Sequence, residues 1–389
     1  MTKIRNYEIA ELGEAGERSS PWGSTILVLK LETEDGEVGY GEAPTTLMTR
    51  AVYEQMREVG RVFVGRDVEE IRKNYLEFYK RSFYLPVSME STSALSAFEI
   101  ASWDILGKIL GAPVYQLLGG KVRDKVRGYA NGWYDDCTSP EDFVNKAKEV
   151  ERKGFTAVKF DPFGPNFNAL TEEGALKAKD IVLSVKENTK MDILIECHGR
   201  FNANAAILAA RYLQDLDPLF MEEPVHPDQI SGLRRLRERS DVRIALGERV
   251  LNKNLFLPYL ESDLVDVIQP DVTNVGGIIE AMHSSILADS YGVEVAFHNA
   301  FGPIQTAATL HLDLSISNFL IQESFEYFWP DWKKNLLKSG YKLENGFFTL
   351  SGKPGLGIEV NEKILEQYRT DEMESTSEEP PWVVKGTFR

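Results

Sequence analysis

From about Val126 the chain repeats short apolar runs at almost even intervals, and that rhythm leaves few architectures open. The runs are RGYANG, AVKF, ILIE, LFMEE, IALGE, DVIQPD, VEVAFH and NFLIQE, eight in all. Most are separated by roughly 25 residues, the length of one strand, one helix and two short loops. Eight such units over roughly 200 residues predict an α/β fold whose parallel strands close into a (β/α)₈ barrel. A doubly wound open sheet is the alternative. Even spacing of eight units disfavours it, and no GxGxxG or P-loop sequence supports nucleotide binding.

The flanks read differently. Residues 1–125 mix an alternating stretch, STILVLKLETEDGEVGYGEA, with helical ones. Asp35-Gly36 marks a hairpin turn in the first. STSALSAFEIASWDILGKILG has the helical period, with Gly111 as its stop and Pro113 just beyond. The expected organisation is an α+β piece over 1–125, the barrel over 126–338, and a C-terminal piece over 339–389. That last piece has hairpin character (KLENGFFTLSGKPGLGIEV), an acidic connector (EMESTSEEPP) and a terminal WVVKGTFR that must pack somewhere.

Composition narrows the partners. The net charge of −16 argues against nucleic acid or an anionic membrane, both of which favour a basic surface. A few local cations can still hold an anionic substrate. Two cysteines, Cys137 and Cys197, are too few for a disulfide framework. No N-terminal apolar segment reads as a secretion signal, and no apolar window is long enough to span a bilayer. The expected setting is cytoplasmic.

The chemistry lies in how the barrel strands end. Their last residues include Lys159 and Asp161, Glu196 and His198, Glu222, Glu248, Asp271, His298 and Glu323. Active sites of this barrel form at the C-terminal ends of the strands, and packing does not require an ionisable group at seven successive ends. Residues i and i+2 share a face, so Glu196 pairs with His198, Lys159 with Asp161, and Gln269 with Asp271. Cys197 and Glu223 should then point away. Glu196, Glu222 and Glu248 on consecutive strands would repel one another without a cation between them. Oxygen-only ligation suits Mg²⁺.

His298 and Asp271 end neighbouring strands, so the carboxylate can orient the imidazole and leave its other nitrogen to take a proton. His198 stands three to four strands away. Two histidines flanking a metal suit divided labour, one removing a proton and one protonating a leaving group. His283 and His311 lie in helical stretches and read as structural, and His226 sits on a loop. Arg200, Asn202 and Asn299 follow strand ends and are candidate substrate contacts, as is Asp161. Trp22 and the TTLMTR segment after Pro44 are where a covering piece would set specificity.

These residues resemble the enolase superfamily, in its mandelate racemase/muconate lactonising branch, over essentially the full length. AFEIASWDILGKILGAPVYQLLGG, FMEEP, LGER, QPDVTNVGG and KPGLG carry the resemblance. GYANGWYDDC, VKFDPFGP, HGRFNAN, EEPVHPD and VAFHNAFG look more narrowly like gluconate dehydratases of the archaeal type. The resemblance implies a capping domain formed by both termini over the barrel, and homo-oligomers, often octamers. It also implies Glu196, Glu222 and Glu248 as Mg²⁺ ligands, His298 with Asp271 as base, Glu323 near substrate and His198 as general acid. Lys159 matches the first lysine of the family's KxK motif, facing the substrate carboxylate.

Two departures stand out. Glu196 replaces the commoner Asp, and Asp161 replaces the second KxK lysine. Racemases of this branch need a base on each face of the α-carbon, so the second departure argues against racemisation. The reaction implied is Mg²⁺-dependent dehydration of a sugar acid, D-gluconate first, with galactonate, xylonate and arabinonate as alternatives. An epimerase or cycloisomerase of the same branch is the runner-up, and a simple epimerase has no need of His198 as a leaving-group acid. A barrel hydrolase would favour an HxH on the first strand, where Tyr129 and Asn131 stand. A non-catalytic sugar-acid binder is the remaining class.

Overall fold

The computed structural model describes residues 2–13, 25–44, 49–81 and 88–370. Trp22, residues 45–48 of the TTLMTR segment and the tail from residue 371, including WVVKGTFR, lie outside the described residues. The chain opens with an antiparallel sheet of β1 (Ile4–Leu12), β2 (Ile26–Thr33) and β3 (Val38–Ala43). Asp35-Gly36 turns the β2–β3 hairpin, with Gly36 at φ 88°. Helices α1 (Thr49–Phe63), α2 (Ile71–Arg81) and α3 (Met89–Leu110) follow, then the short α4 (Val114–Leu117).

α3 begins at Ser88, whose side chain accepts from Ser91 N–H, and ends at Gly111 in the left-handed conformation. It is buried on nearly all sides because it is sandwiched. One face meets β3 so closely that a Cβ on Gly41 would lie 2.0 Å from the Ala97 carbonyl oxygen. The other meets the barrel, where Glu99 accepts from Ile278 N–H at 2.7 Å and Ile279 N–H at 3.0 Å. The small residues Ser93, Ser96, Ala97 and Ala101 make both approaches possible.

The barrel alternates β4 (Val126–Ala130), α5 (Pro140–Arg152), β5 (Ala157–Phe160), α6 (Glu172–Asn188), β6 (Asp192–Glu196), α7 (Ala203–Leu213), β7 (Phe220–Glu222), α8 (Ile230–Arg237), β8 (Ile244–Leu246), α9 (Lys253–Leu260), β9 (Val267–Ile268), α10 (Ile278–Asp289), β10 (Glu294–Val295), α11 (Pro303–Ser315) and β11 (Gln322–Ser324). All eight apolar runs fall on these strands. β4 through β10 pair in parallel order, and β11 closes on β4 with Glu323 opposite Tyr129. Backbone hydrogen bonds from Val295 to Asn318 and from Leu320 to Val295 complete the ring.

After the barrel come α12 (Asp331–Lys334), β12 (Leu337–Ser339), β13 (Tyr341–Glu344), β14 (Phe347–Leu350), β15 (Glu359–Val360) and α13 (Glu362–Gln367). The β13–β14 hairpin turns at Asn345-Gly346 and pairs antiparallel with the start of β4. Beyond it, Glu362 bonds the Tyr40 hydroxyl and Lys30 at the N-terminal sheet, and Arg369 pairs with Glu8.

The barrel interior holds one apolar layer with a residue from each of the eight runs: Tyr129, Ala157, Leu194, Phe220, Ala245, Val267, Ala296 and Ile321. Large and small side chains share the space, as a filled barrel requires. Two residues further along each run stand Asn131, Lys159, Glu196, Glu222, Gly247, Gln269, His298 and Glu323. Strand alternation alone thus converts an apolar plug into a polar layer at the C-terminal mouth.

Candidate active site

Lys159 is the hub of that layer. Its ammonium lies 2.5 Å from Glu222 Oε2, 2.9 Å from Glu323 Oε1 and 3.0 Å from Glu196 Oε2, with all four side chains buried. Burial opposes its charge, yet the three carboxylates outweigh it and raise its pKa well above the usual lysine value. Glu323 is held by Asn131 Nδ2 at 2.9 Å and Asn299 N–H at 2.8 Å. Burial works against its carboxylate too, but Lys159 and His298 prevail and bring it down to about 2. Glu196 is likewise lowered, with burial opposed by Lys159 and His198. Glu222 goes the other way, pushed well up by burial and by Glu196.

Opposite these lies the dyad. Asp271 and His298 form a parallel backbone bridge, which places His298 Nδ1 2.5 Å from Asp271 Oδ2. His298 Nε2 lies 3.2 Å from Glu248 Oε2 and 3.9 Å from Glu323 Oε2. Burial disfavours the imidazolium, but Glu248, Asp271 and Glu323 overcome it and raise the pKa to about 10.

A second cluster occupies the mouth at the ends of β5 and β6. Asp161 takes both terminal nitrogens of Arg200, at 2.6 and 2.7 Å, and His198 Nδ1 at 3.0 Å. The His198 N–H donates to Glu196 Oε1 at 2.7 Å, tying this cluster to the first. Asp161, His198 and Arg200 also line a cavity of about 650 Å³ together with Tyr134 and Phe163. Asp161 therefore pairs with Arg200 and His198, not with Lys159.

One expectation needs correction. Glu223 does not turn outward: it is buried, its backbone is left-handed at φ 41°, and its carboxylate pairs with Arg249. Alternation stops where the strand ends at Glu222, so it cannot place the next residue. Asn202 caps α7, its Oδ1 accepting from Asn204 and Ala205 N–H. Asn299 is buried, and its amide donates to Thr306 Oγ1 and the Glu323 carbonyl. Cys197, as expected, is buried in the outer core. His283 and His311 lie in α10 and α11, the latter accepting from Tyr115 N–H.

Sequence reasoning missed Gln305, Glu42 and Arg249, and gave Gln269 a face but no role. Gln269 donates to Glu222 Oε2 at 2.6 Å, and its place in the polar layer was available from alternation. Gln305 and Glu42 sit on a helix and on a strand of another sheet, where spacing carries no signal. Gly247 permits Glu248 to reach the mouth out of phase: its φ is +152°, and a Cβ there would lie 2.6 Å from Gln269 N.

The carboxylates also test the expected divalent cation. Among the described residues, no three acidic, histidine or cysteine side chains are gathered into a ready cage. Glu196 and Glu222 turn to Lys159, while Glu248 leans on His298. The donor chemistry nevertheless fits. Glu196 and Glu222 are register neighbours on β6 and β7, and Glu222 Oε1 is buried without a hydrogen-bond partner. Glu196, Glu222, Glu248 and Glu323 outnumber Lys159 and His298, so the layer has room for more positive charge.

Comparison with known proteins agrees with this architecture. Residues 20–119 match the mandelate racemase/muconate lactonizing enzyme N-terminal domain, and residues 142–364 the enolase C-terminal domain-like family. A D-gluconate/D-galactonate dehydratase of Picrophilus torridus is 55% identical, with both chains covered completely. A D-gluconate dehydratase of Thermoproteus tenax is 44% identical over all of this chain and 79% of its own. A solved mandelate racemase/muconate lactonizing enzyme from Sulfitobacter superposes with a TM-score of 0.88 at 30% identity, covering 96% of this chain and 97% of its own. The chain belongs to the enolase superfamily, in its mandelate racemase/muconate lactonizing branch.

Proposed function

We propose that this protein is a Mg²⁺-dependent sugar-acid dehydratase that converts D-gluconate to 2-keto-3-deoxy-D-gluconate. The observation that carries the reading is the pair of carboxylate-bound histidines, His298 on Asp271 and His198 on Asp161, on either side of one buried carboxylate layer. The Picrophilus and Thermoproteus relatives are both named for gluconate dehydration, and the former also for D-galactonate, which makes galactonate the second substrate to try.

His298 Nε2 removes the C2 proton while Asp271 holds the Nδ1 proton and keeps the ring aimed. Negative charge then develops on the substrate carboxylate, and the buried Lys159 ammonium opposes it. Glu196, Glu222 and Glu248 would hold the divalent cation, which supplies Lewis-acid stabilisation to that same carboxylate. On the other face, His198 gives a proton to the departing C3 hydroxyl, which leaves as water. The C2–H and C3–O bonds break, a C2–C3 double bond forms, and the resulting enol tautomerises to the 2-keto-3-deoxy acid. Asp161 and Arg200 set the position of His198 and border the substrate hydroxyls.

The test is a screen of five- and six-carbon aldonic acids for 2-keto-3-deoxy product, with Mg²⁺ and with EDTA. Metal-dependent product from D-gluconate is expected. Product from another acid alone would move the specificity. None from any acid would overturn the reading.

A further inference from the structure

We infer that Gln305, anchored by Glu42 of β3, is a positioning residue that keeps the proton of the base dyad on His298 Nδ1. The inference rests on the reading of His298 as the base. Gln305 is the third residue of α11 and fully buried. Its Oε1 accepts from Phe301 N–H at 2.8 Å, which fixes the orientation of the amide. Its Nε2 must therefore face Asp271 Oδ2, where it donates at 2.8 Å.

This completes the surroundings of Asp271. Oδ2 accepts from Gln305 and His298 Nδ1, and Oδ1 accepts from Thr273 N–H and Oγ1–H, both at 2.6 Å. Four donors fill the four acceptor positions of the carboxylate, so none is left for a proton of its own. The proton in the Asp271–His298 contact then belongs to Nδ1, and the nitrogen left for exchange is Nε2, which faces the carboxylate layer. Without Gln305, Oδ2 would lose the donor that keeps it a pure acceptor.

The anchor lies in the N-terminal sheet. Glu42 Oε2 accepts from Ile304 N–H at 3.1 Å and Gln305 N–H at 3.2 Å, fixing the first turn of α11. The fit is close, since a Cβ on Gly302 would fall 2.6 Å from Glu42 Oε2. Lys333 donates to the Phe301 carbonyl from below, so both ends of the 301–305 turn are held. One strand of the capping sheet thereby reaches the base through helix, amide and carboxylate.

The experiment uses the full chain with Mg²⁺ and the aldonate that gives product. Gln305→Met should lower kcat by about tenfold or more with KM within about twofold, since the loss falls on proton transfer. Added to Asp271→Asn, it should change kcat by less than about twofold, because its effect passes through Asp271. Losses that multiply, or a Gln305→Met enzyme within about twofold of wild type, would overturn the inference. Gln305→Glu keeps the volume and the acceptor for Phe301 and carries the same comparison if the methionine variant fails to fold. Spectra of ¹⁵N-histidine protein, with His298 identified by its loss in His298→Asn, should show a protected Nδ1 proton that Gln305→Met exposes to exchange. If no acid gives product, the dehydratase reading falls while these spectra still decide the positioning role. An Nδ1 proton equally protected in Gln305→Met would contradict it.

Discussion

Lys159 Nζ lies 2.5 Å from Glu222 Oε2, in a layer where neither group reaches water. The ammonium neutralises one carboxylate of several, and the proposed divalent cation would take up the remainder. Lys159→Met should reduce kcat by about 100-fold or more, the size of losing one preorganised donor to developing charge. It should also destabilise the cation-free protein by about 3–5 kcal/mol, because buried carboxylates lose their partner. Steady-state kinetics and denaturant titration in EDTA measure both.

Cation binding to the folded layer alone should stabilise the protein by mass action. Mg²⁺ at about 100 times its Kd adds about 2.7 kcal/mol. Melting temperature should therefore rise on Mg²⁺ addition and fall with EDTA, and Glu222→Ala should abolish the response. An undiminished response in Glu222→Ala would remove Glu222 from the ligand set.

Much of this was legible in the sequence because strand alternation is a rigid rule. The apolar run ILIE places Leu194 in the plug and Glu196 above it, and the same step of two places Lys159, Glu222, His298 and Glu323. The rule fails where the backbone leaves the strand. His198, Glu223 and Gly247 all have positive φ, so the directions of His198, Glu223 and Glu248 depend on loop conformation that spacing does not encode. Asn202 precedes a helix, and its cap on α7 is seen only in the geometry. Gln305 and Glu42 come from separate elements and meet Asp271 and α11 through tertiary packing.

Glu99 gives the interface between α3 and the barrel a pH dependence. Burial raises its pKa from 4.5 to about 7, against the opposing donors Ile279 N–H, Ile278 N–H and Trp103 Nε1–H. The folded protein thus keeps this proton to higher pH than the unfolded chain does. The contribution is fully present below about pH 4.5 and is lost as pH rises through about 7. Glu99→Gln should flatten the fall of stability across that window by about 1–3 kcal/mol relative to wild type. Denaturant midpoints at several pH values test it.

The capping role of Asn202 separates structure from chemistry. Asn202→Ala should cost about 1 kcal/mol of stability through the loss of two N–H acceptor contacts on α7. Turnover at saturating substrate should stay within about twofold of wild type. A selective rise in KM without loss of stability would make Asn202 a substrate contact.

The division of labour between the two histidines can be read in D₂O, by following deuterium at C2 of the substrate alongside product. Wild type should dehydrate, His198→Gln should exchange the C2 proton for deuterium with little product, and His298→Asn should do neither. Exchange persisting in His298→Asn would contradict the assignment of His298 as the base on which the proposed mechanism stands.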